Sequence, residues 1–201
     1  MLLLDETFRG ASFDQRLAWY NAPPNVVLGD DGLTLETAPK TDFWQRTHYG
    51  FRADGGHALL ANLRGDFTLE TQVTFYPVHQ YDQAGLLVRL SAECWLKTSI
   101  EFELGQPSRL GSVVTNAGWS DWATEDVPAS VRHARYRISR RAGDYLVEHS
   151  AGDVGAWRQI RLAHLHDDDG ARPIGAGLYA CSPKAAGFRA TFHGLRIRLG
   201  A

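Results

Sequence analysis

The 201-residue chain predicts an all-β fold, a two-sheet antiparallel β-sandwich of the jelly-roll kind. Three observations predict it. Apolar residues recur with a period of two and not 3.6, turn signals separate the apolar runs at short intervals, and no long amphipathic helix pattern lies between them. Twenty glycines suit a chain with that many turns. All-β sandwiches of this length form single units, so residues 1–201 are read as one domain. No internal repeat, low-complexity tract or linker interrupts them.

The elements follow in chain order. Residues 16–51 are irregular, with Pro23 and Pro24 and then a strand-like Leu33, Thr34, Leu35, Glu36, Thr37 after the turn at Asp31 and Gly32; they read as edge strands and long connections. From 67 to 75 the alternation is clear. Phe67, Leu69, Thr71, Val73 and Phe75 share one face, and Thr68, Glu70, Gln72 and Thr74 share the other, the pattern of a half-buried strand. In 84–90, Ala84, Leu86, Val88 and Leu90 line up against Gly85, Leu87 and Arg89. A longer strand is expected over 95–104, with Leu96, Thr98, Ile100, Phe102 and Leu104 turned to the core. Further strands are expected at 111–116, 135–140, 145–149, 157–162, 174–181 and 188–199. Gly143 with Asp144, the run Asp167, Asp168, Asp169, Gly170, and Ser182 with Pro183 are the turns between antiparallel neighbours.

Composition narrows the function classes. With 21 basic and 23 acidic residues the net charge is −2, which supplies no global field toward nucleic acid or an anionic membrane. Neither is expected as a partner. The chain starts Met1, Leu2, Leu3, Leu4, Asp5, Glu6, without the cationic and apolar stretches of a secretory leader, and no later run reaches the roughly 20 apolar residues of a membrane helix. Cys94 and Cys181 could pair, but two cysteines make no disulfide framework. A reduced, cytoplasmic setting is expected.

The most informative feature is the far face of the 95–104 strand, which presents Trp95, Lys97, Ser99, Glu101 and Glu103 in a row. Residues two apart on a strand lie about 6.6 Å apart along it. Glycosidase carboxyl pairs are separated by about 5 to 9.5 Å, so Glu101 and Glu103 are spaced for either stereochemical course. The plain alternative is a solvated sheet face on which Lys97 pairs with a glutamate of a neighbouring strand. Trp44, Tyr49, Tyr81, Trp95, Trp119 and Trp122 stand near polar or turn residues, an arrangement suited to stacking on a sugar ring while carboxylates and amides take its hydroxyls.

Several separated motifs carry a family resemblance: Thr41, Asp42, Phe43, Trp44 followed by Tyr49 and Gly50; Asp82, Gln83, Ala84, Gly85, Leu86; Trp95 and Lys97 followed by Ile100 and Glu101; Ser112, Val113, Val114, Thr115, Asn116; Ser120, Asp121, Trp122; and Tyr179, Ala180, Cys181, Ser182, Pro183. In these the chain resembles the concanavalin A-like family of unknown function that includes the regulator-of-enolase protein. The resemblance implies two packed antiparallel sheets, as in the lectin and glucanase superfamily. It leaves the activity open. Glu101 falls within the family's motif and Glu103 outside it, and the third acid of the glucanase strand motif is missing after Leu104.

These readings predict a ligand groove formed by strands 82–90 and 95–103. Its ligand-binding residues are Trp44, Tyr81, Asp82, Gln83, Trp95, Lys97, Glu101, Glu103, Thr115, Asp121 and Trp122, with Glu101 as the candidate catalytic residue. Asp82 and Gln83 are expected at the groove's mouth. Lys97 is expected to hold Glu101 ionised, favouring a base or an anchor over an acid. Three functions are compatible: binding of an oligosaccharide or other small polar ligand; a glycoside hydrolase or lyase using Glu101 with Glu103 or Asp82; and a cytoplasmic metabolic regulator that binds another protein. No cofactor is predicted, since there is no phosphate-binding glycine loop, nucleophile elbow or zinc spacing. No metal site is predicted either. Asp167 to Asp169 lack the spaced ligands of a calcium loop, and His164 with His166 lack a third ligand. The basic stretch Arg132, Arg135, Arg137, Arg140, Arg141 is expected to pair with acids and not with nucleic acid.

Overall fold

The computed structural model describes residues 1–151 and 155–200. The strands, in chain order, are β1 (Leu2–Glu6), β2 (Leu17–Tyr20), β3 (Asn25–Gly29), β4 (Gly32–Glu36), β5 (Phe43–Gln45) and β6 (Arg52–Asp54). They continue with β7 (His57–Leu63), β8 (Phe67–Tyr76), β9 (Gln83–Ser91), β10 (Cys94–Glu101), β11 (Ser108–Asn116) and β12 (Trp119–Val127). The last are β13 (His133–Arg141), β14 (Asp144–Ser150), β15 (Arg158–His164), β16 (Ile174–Cys181) and β17 (Arg189–Leu199). No helix occurs among the described residues.

Two large antiparallel sheets form a sandwich. One runs β15-β14-β13-β8-β17-β4-β3, with β1 also paired to β17; the other runs β12-β11-β10-β9-β16-β7-β2. The alternation read from the sequence is what buries the core between them. Phe67, Leu69, Val73 and Phe75 of β8 meet Ala84, Leu86 and Val88 of β9 and Leu96 and Ile100 of β10 in one apolar cluster. A second, smaller cluster lies on the outward face of the second sheet, where Phe43, Trp44, Leu87, Trp95, Val113, Tyr179 and Cys181 are buried together. That cluster exists because the short β5–β6 hairpin packs over this face. Cys94 belongs to the first cluster and Cys181 to the second, and both thiols are free.

Three expectations change. The strand predicted over 95–104 ends at Glu101, because the Phe102 amide donates to the Asp82 carbonyl and the Tyr81 amide to the Phe102 carbonyl, after which the chain turns through Gly105 at φ +74°. Phe102 is therefore only partly buried and Leu104 is exposed. The β12 strand, unanticipated, extends the second sheet beyond β11. Of the three predicted turns, only Gly143 with Asp144 closes a hairpin, β13 to β14. The acidic run and the Ser182–Pro183 turn instead carry the chain from one sheet to the other.

The acidic run has a structural task. Asp168 accepts from Arg140, Tyr145 and the Gly170 amide, and Arg140 and Asp168 side chains are both closed to solvent. Burial alone would raise the Asp168 carboxyl, but these donors together hold it below its ordinary value. Asp169 accepts from the Ala171 and Arg172 amides. Of the basic stretch, Arg137 pairs with Glu148 and Glu70 and Arg140 with Asp168, whereas Arg132 and Arg141 donate to backbone carbonyls. His164 bonds Asp144, and among the described residues no group of three His, Cys, Asp or Glu side chains could hold a metal ion.

Candidate functional site

Strand geometry sets the site's floor. On β10, Leu96, Thr98 and Ile100 enter the main core, so Trp95, Lys97, Ser99 and Glu101 must point outward. The register carries this face across the sheet: Lys97 lies opposite Leu87 and Val113, Val113 opposite Trp122, and Glu101 opposite Gln83. Over part of this face the β5–β6 hairpin is laid like a flap. Its Phe43 ring is 6.0 Å from Trp95 and 6.2 Å from Tyr179. The hairpin's base is closed by the Gly55 and Gly56 amides, each 3.0 Å from the Asp42 carbonyl. Where the hairpin stops, a cleft of 280 Å³ opens, lined among others by Asp42, Trp44, Tyr49, Phe51, Tyr81, Lys97, Glu101, Glu103, Trp122 and Lys184.

The cleft's polar floor is a connected set. Lys97 is buried, and its Nζ donates to Asp42 Oδ1 at 3.2 Å, while the Phe43 amide donates to the same oxygen at 2.7 Å. Burial would lower the Lys97 ammonium, but the neighbouring anions, Asp42 foremost, outweigh it and keep the group above its ordinary value. The ammonium also lies 5.8 Å from the Trp95 and Tyr179 ring centroids. Glu101 Oε2 accepts from Gln83 Nε2 at 2.7 Å. Gln83 is itself fixed, accepting from the Tyr179 hydroxyl at 3.1 Å and donating to the Tyr81 carbonyl at 3.1 Å. Glu103 accepts from Gln80.

Glu101 is not held ionised. Although it keeps partial exposure toward the cleft, it is surrounded by protein, and burial raises its carboxyl to about 8, with Lys97 opposing and Asp42 and Glu103 reinforcing the rise. The expectation that Lys97 fixes a carboxylate here is thus corrected: desolvation beats one ammonium that is already paired with Asp42. Glu101 therefore holds its proton to higher pH than an ordinary carboxyl.

The walls are aromatic. Trp44 meets Trp122 edge-on with centroids 6.4 Å apart and Tyr49 at 5.5 Å. Its Nε1 donates to the Thr47 carbonyl at 3.1 Å. Tyr49 stacks near Phe51 at 6.0 Å. Lys184 lies 5.1 Å from the Tyr81 ring centroid. Arg46, His48 and Tyr81 hold positive φ at 58°, 63° and 74°, a left-handed conformation that is strained for side chains of this size.

Of the residues expected to bind, Trp44, Tyr81, Lys97, Glu101, Glu103 and Trp122 meet around the cleft, and Asp121 lines a neighbouring space with Trp44 and Trp122, paired with Arg161. Four do not line it. Trp95 is fully buried beneath Phe43, with Nε1 donating to the Ala92 carbonyl. Asp82 is fully buried and holds the turn before β9 by accepting from the Val78 and His79 amides and from Ser182, so it is not at a groove mouth. Gln83 is buried and supports Glu101 from beneath. Thr115 is buried and shares a hydrogen bond of 2.7 Å with Ser120, whose Oγ accepts from the Gln45 amide; it anchors the hairpin. The groove consequently lies over β10, β11 and β12 and not between β9 and β10. Asp42, Phe51, Val113 and Lys184 were missed. The signal for Asp42 was its place beside Trp44 in the 41–44 motif, whereas nothing in the sequence brings Lys184 to Tyr81.

The family model described as protein of unknown function (DUF1349) matches residues 19–199. Regulation of enolase protein 1 of Saccharomyces cerevisiae is 37% identical over 174 residues, which is 87% of this chain and 85% of that one. A crystal structure of a functionally unknown protein from Saccharomyces cerevisiae superposes with a TM-score of 0.83 at 33% identity, over 92% of this chain and 97% of that one. The GH43 protein BlXynB of Bacillus licheniformis shares the fold at 14% identity and a TM-score of 0.73, over 98% of this chain and 39% of that one.

Proposed function

The chain belongs to the family of proteins of unknown function DUF1349, and from that premise we propose that its cleft binds a neutral saccharide. The observation that carries this reading is the pairing of aromatic walls with a floor of hydrogen-bonding groups in one cleft. Trp44, Tyr49 and Trp122 offer ring faces and edges, and Glu101, Lys97 and Asp42 offer a donor acid, an ammonium and a carboxylate. An apolar sugar face against an aromatic ring, with hydroxyls met by fixed polar groups, is the recognition such a cleft favours. The charges agree with a neutral ligand. Lys97 is offset by Asp42, and burial disfavours a charge on Glu101.

Binding is the primary reading, and turnover is secondary. A buried acid near pH 8 suits protonation of a leaving oxygen, so Glu101 is the residue on which hydrolysis or elimination would turn. Protein binding is favoured by a different observation, the exposure of the large aromatic side chains Trp119 and Tyr49. The test is a glycan array followed by thermal-shift titration of wild type and Trp122→Ala. The expected result is a saturable rise in melting temperature whose midpoint moves about tenfold in Trp122→Ala. No shift with any glycan would overturn the reading in favour of a protein ligand.

A further inference from the structure

Building on the saccharide reading of the cleft, we propose that Gln83 is a positioning residue. It turns the Glu101 carboxyl so that Oε1 is the oxygen offered to the ligand, bears whatever proton the group carries, and donates it to an uncharged sugar oxygen. The strand register makes the contact. Gln83 opens β9 opposite Glu101 of β10 and Cys181 of β16. Gly85, next on the same face and opposite Tyr179, puts no side chain between Tyr179 and Gln83.

The orientation of the Gln83 amide follows from its partners. The Tyr81 carbonyl can only accept, so the Gln83 atom 3.1 Å from it is the nitrogen. The same nitrogen donates to Glu101 Oε2 at 2.7 Å, and Gln83 Oε1 takes the Tyr179 hydroxyl at 3.1 Å. Both amide hydrogens are thereby used, and Glu101 Oε2 is held as an acceptor. In a protonated carboxyl the carbonyl oxygen is the better acceptor, so the proton resides on Oε1.

Oε1 is the oxygen left for a ligand. Among the described residues no protein group bonds it, and it is not one of the polar atoms sealed without a partner in the interior. Glu101 lines the cleft together with Lys97, Asp42 and Glu103. Those three charges act on its carboxyl through space, but they are bonded elsewhere, Lys97 to Asp42 and Glu103 to Gln80. The direction of the carboxyl is therefore set by Gln83. Burial also raises the Glu101 carboxyl to about 8, so on the acid side of that value Oε1 offers an O–H, suited to a hydroxyl or ring oxygen and not to an ammonium.

Two arms test the proposal. NMR titration of the Glu101 carboxyl carbon needs no ligand. In Gln83→Met, which keeps the length and removes the amide, the carboxyl should titrate above its wild-type value, because a donor to the ionised form has gone. Tyr179→Phe leaves Gln83 Oε1 without its donor and should move the titration the same way by less; it decides the matter if Gln83→Met does not fold. The second arm is calorimetric titration with glucose, galactose, mannose and xylose, followed with the tightest binder. Glu101→Ala should bind it about tenfold more weakly than Glu101→Gln, since Gln83 draws the new amide's oxygen to itself and leaves its N–H facing the cleft. Placed in the Gln83→Met background, the same two substitutions should differ little. A Glu101 titration unchanged by Gln83→Met and Tyr179→Phe, or a gap between the two Glu101 variants that survives without Gln83, would overturn the positioning role and leave the saccharide reading intact. Failure of every sugar to bind would remove the saccharide reading and the sugar oxygen with it, and the NMR titration would still decide the role of Gln83.

Discussion

At the scale of single residues, Glu101 shows how neighbours along a strand differ from neighbours in space. The sequence puts Lys97 and Glu101 on one face, and that much was legible. It does not show the segment before the hairpin, whose Asp42 takes the Lys97 ammonium, nor the burial that raises the Glu101 carboxyl. The consequence is measurable through proton linkage. A carboxyl whose folded value lies near 8, above its ordinary 4.5, keeps its proton in the native state while the unfolded chain has released it, so stability falls as pH rises between those two values. Below 4.5 and above 8 the contribution is level. Glu101→Gln keeps the shape and abolishes the ionisation, so its melting temperature should decline less than that of wild type from pH 5 to pH 8. Parallel declines for the two proteins would show that the carboxyl titrates normally.

Among the elements, the β5–β6 hairpin decides whether a cleft exists. Its seat is cut close at Gly56, where an added Cβ would stand 2.2 Å and 2.5 Å from Phe43 ring atoms and 2.7 Å from the Cys181 sulfur. Gly56→Ala should therefore lift the hairpin off Trp95 and Tyr179. Overpacking of this kind costs about 1–3 kcal/mol, read by denaturant unfolding, and should widen the cleft enough to lose saccharide affinity. A variant as stable as wild type would show that the hairpin yields freely. This element was hard to foresee, since six residues between two three-residue strands produce no periodic signal. The β12 strand was hidden for another reason. Its residues Trp119 to Val127 are mostly exposed or half-exposed on an edge, so no alternation of apolar and polar residues marks it, although Ser120, Asp121 and Trp122 stood out as a motif.

For the whole molecule, the sandwich was legible because burial of one strand face imposes a period of two on β8, β9, β10, β13 and β16. Which turns close hairpins and which cross between sheets was not, because Gly, Asp, Ser and Pro serve both. The same limit hid the cleft's position. Lys184, in the crossing connection after β16, and Asp42, ahead of β5, reach the cleft only once the sheets are assembled. The relative at 37% identity matches most of the chain, and the solved structure at 33% identity shares this architecture. The most direct measurement is a calorimetric titration, at pH 7, of the strongest array glycan into wild type and Trp122→Ala. Saturable one-to-one binding in wild type, weakened about tenfold in the variant, is the predicted result. Binding left unchanged by Trp122→Ala would place the saccharide elsewhere on the molecule and contradict the account.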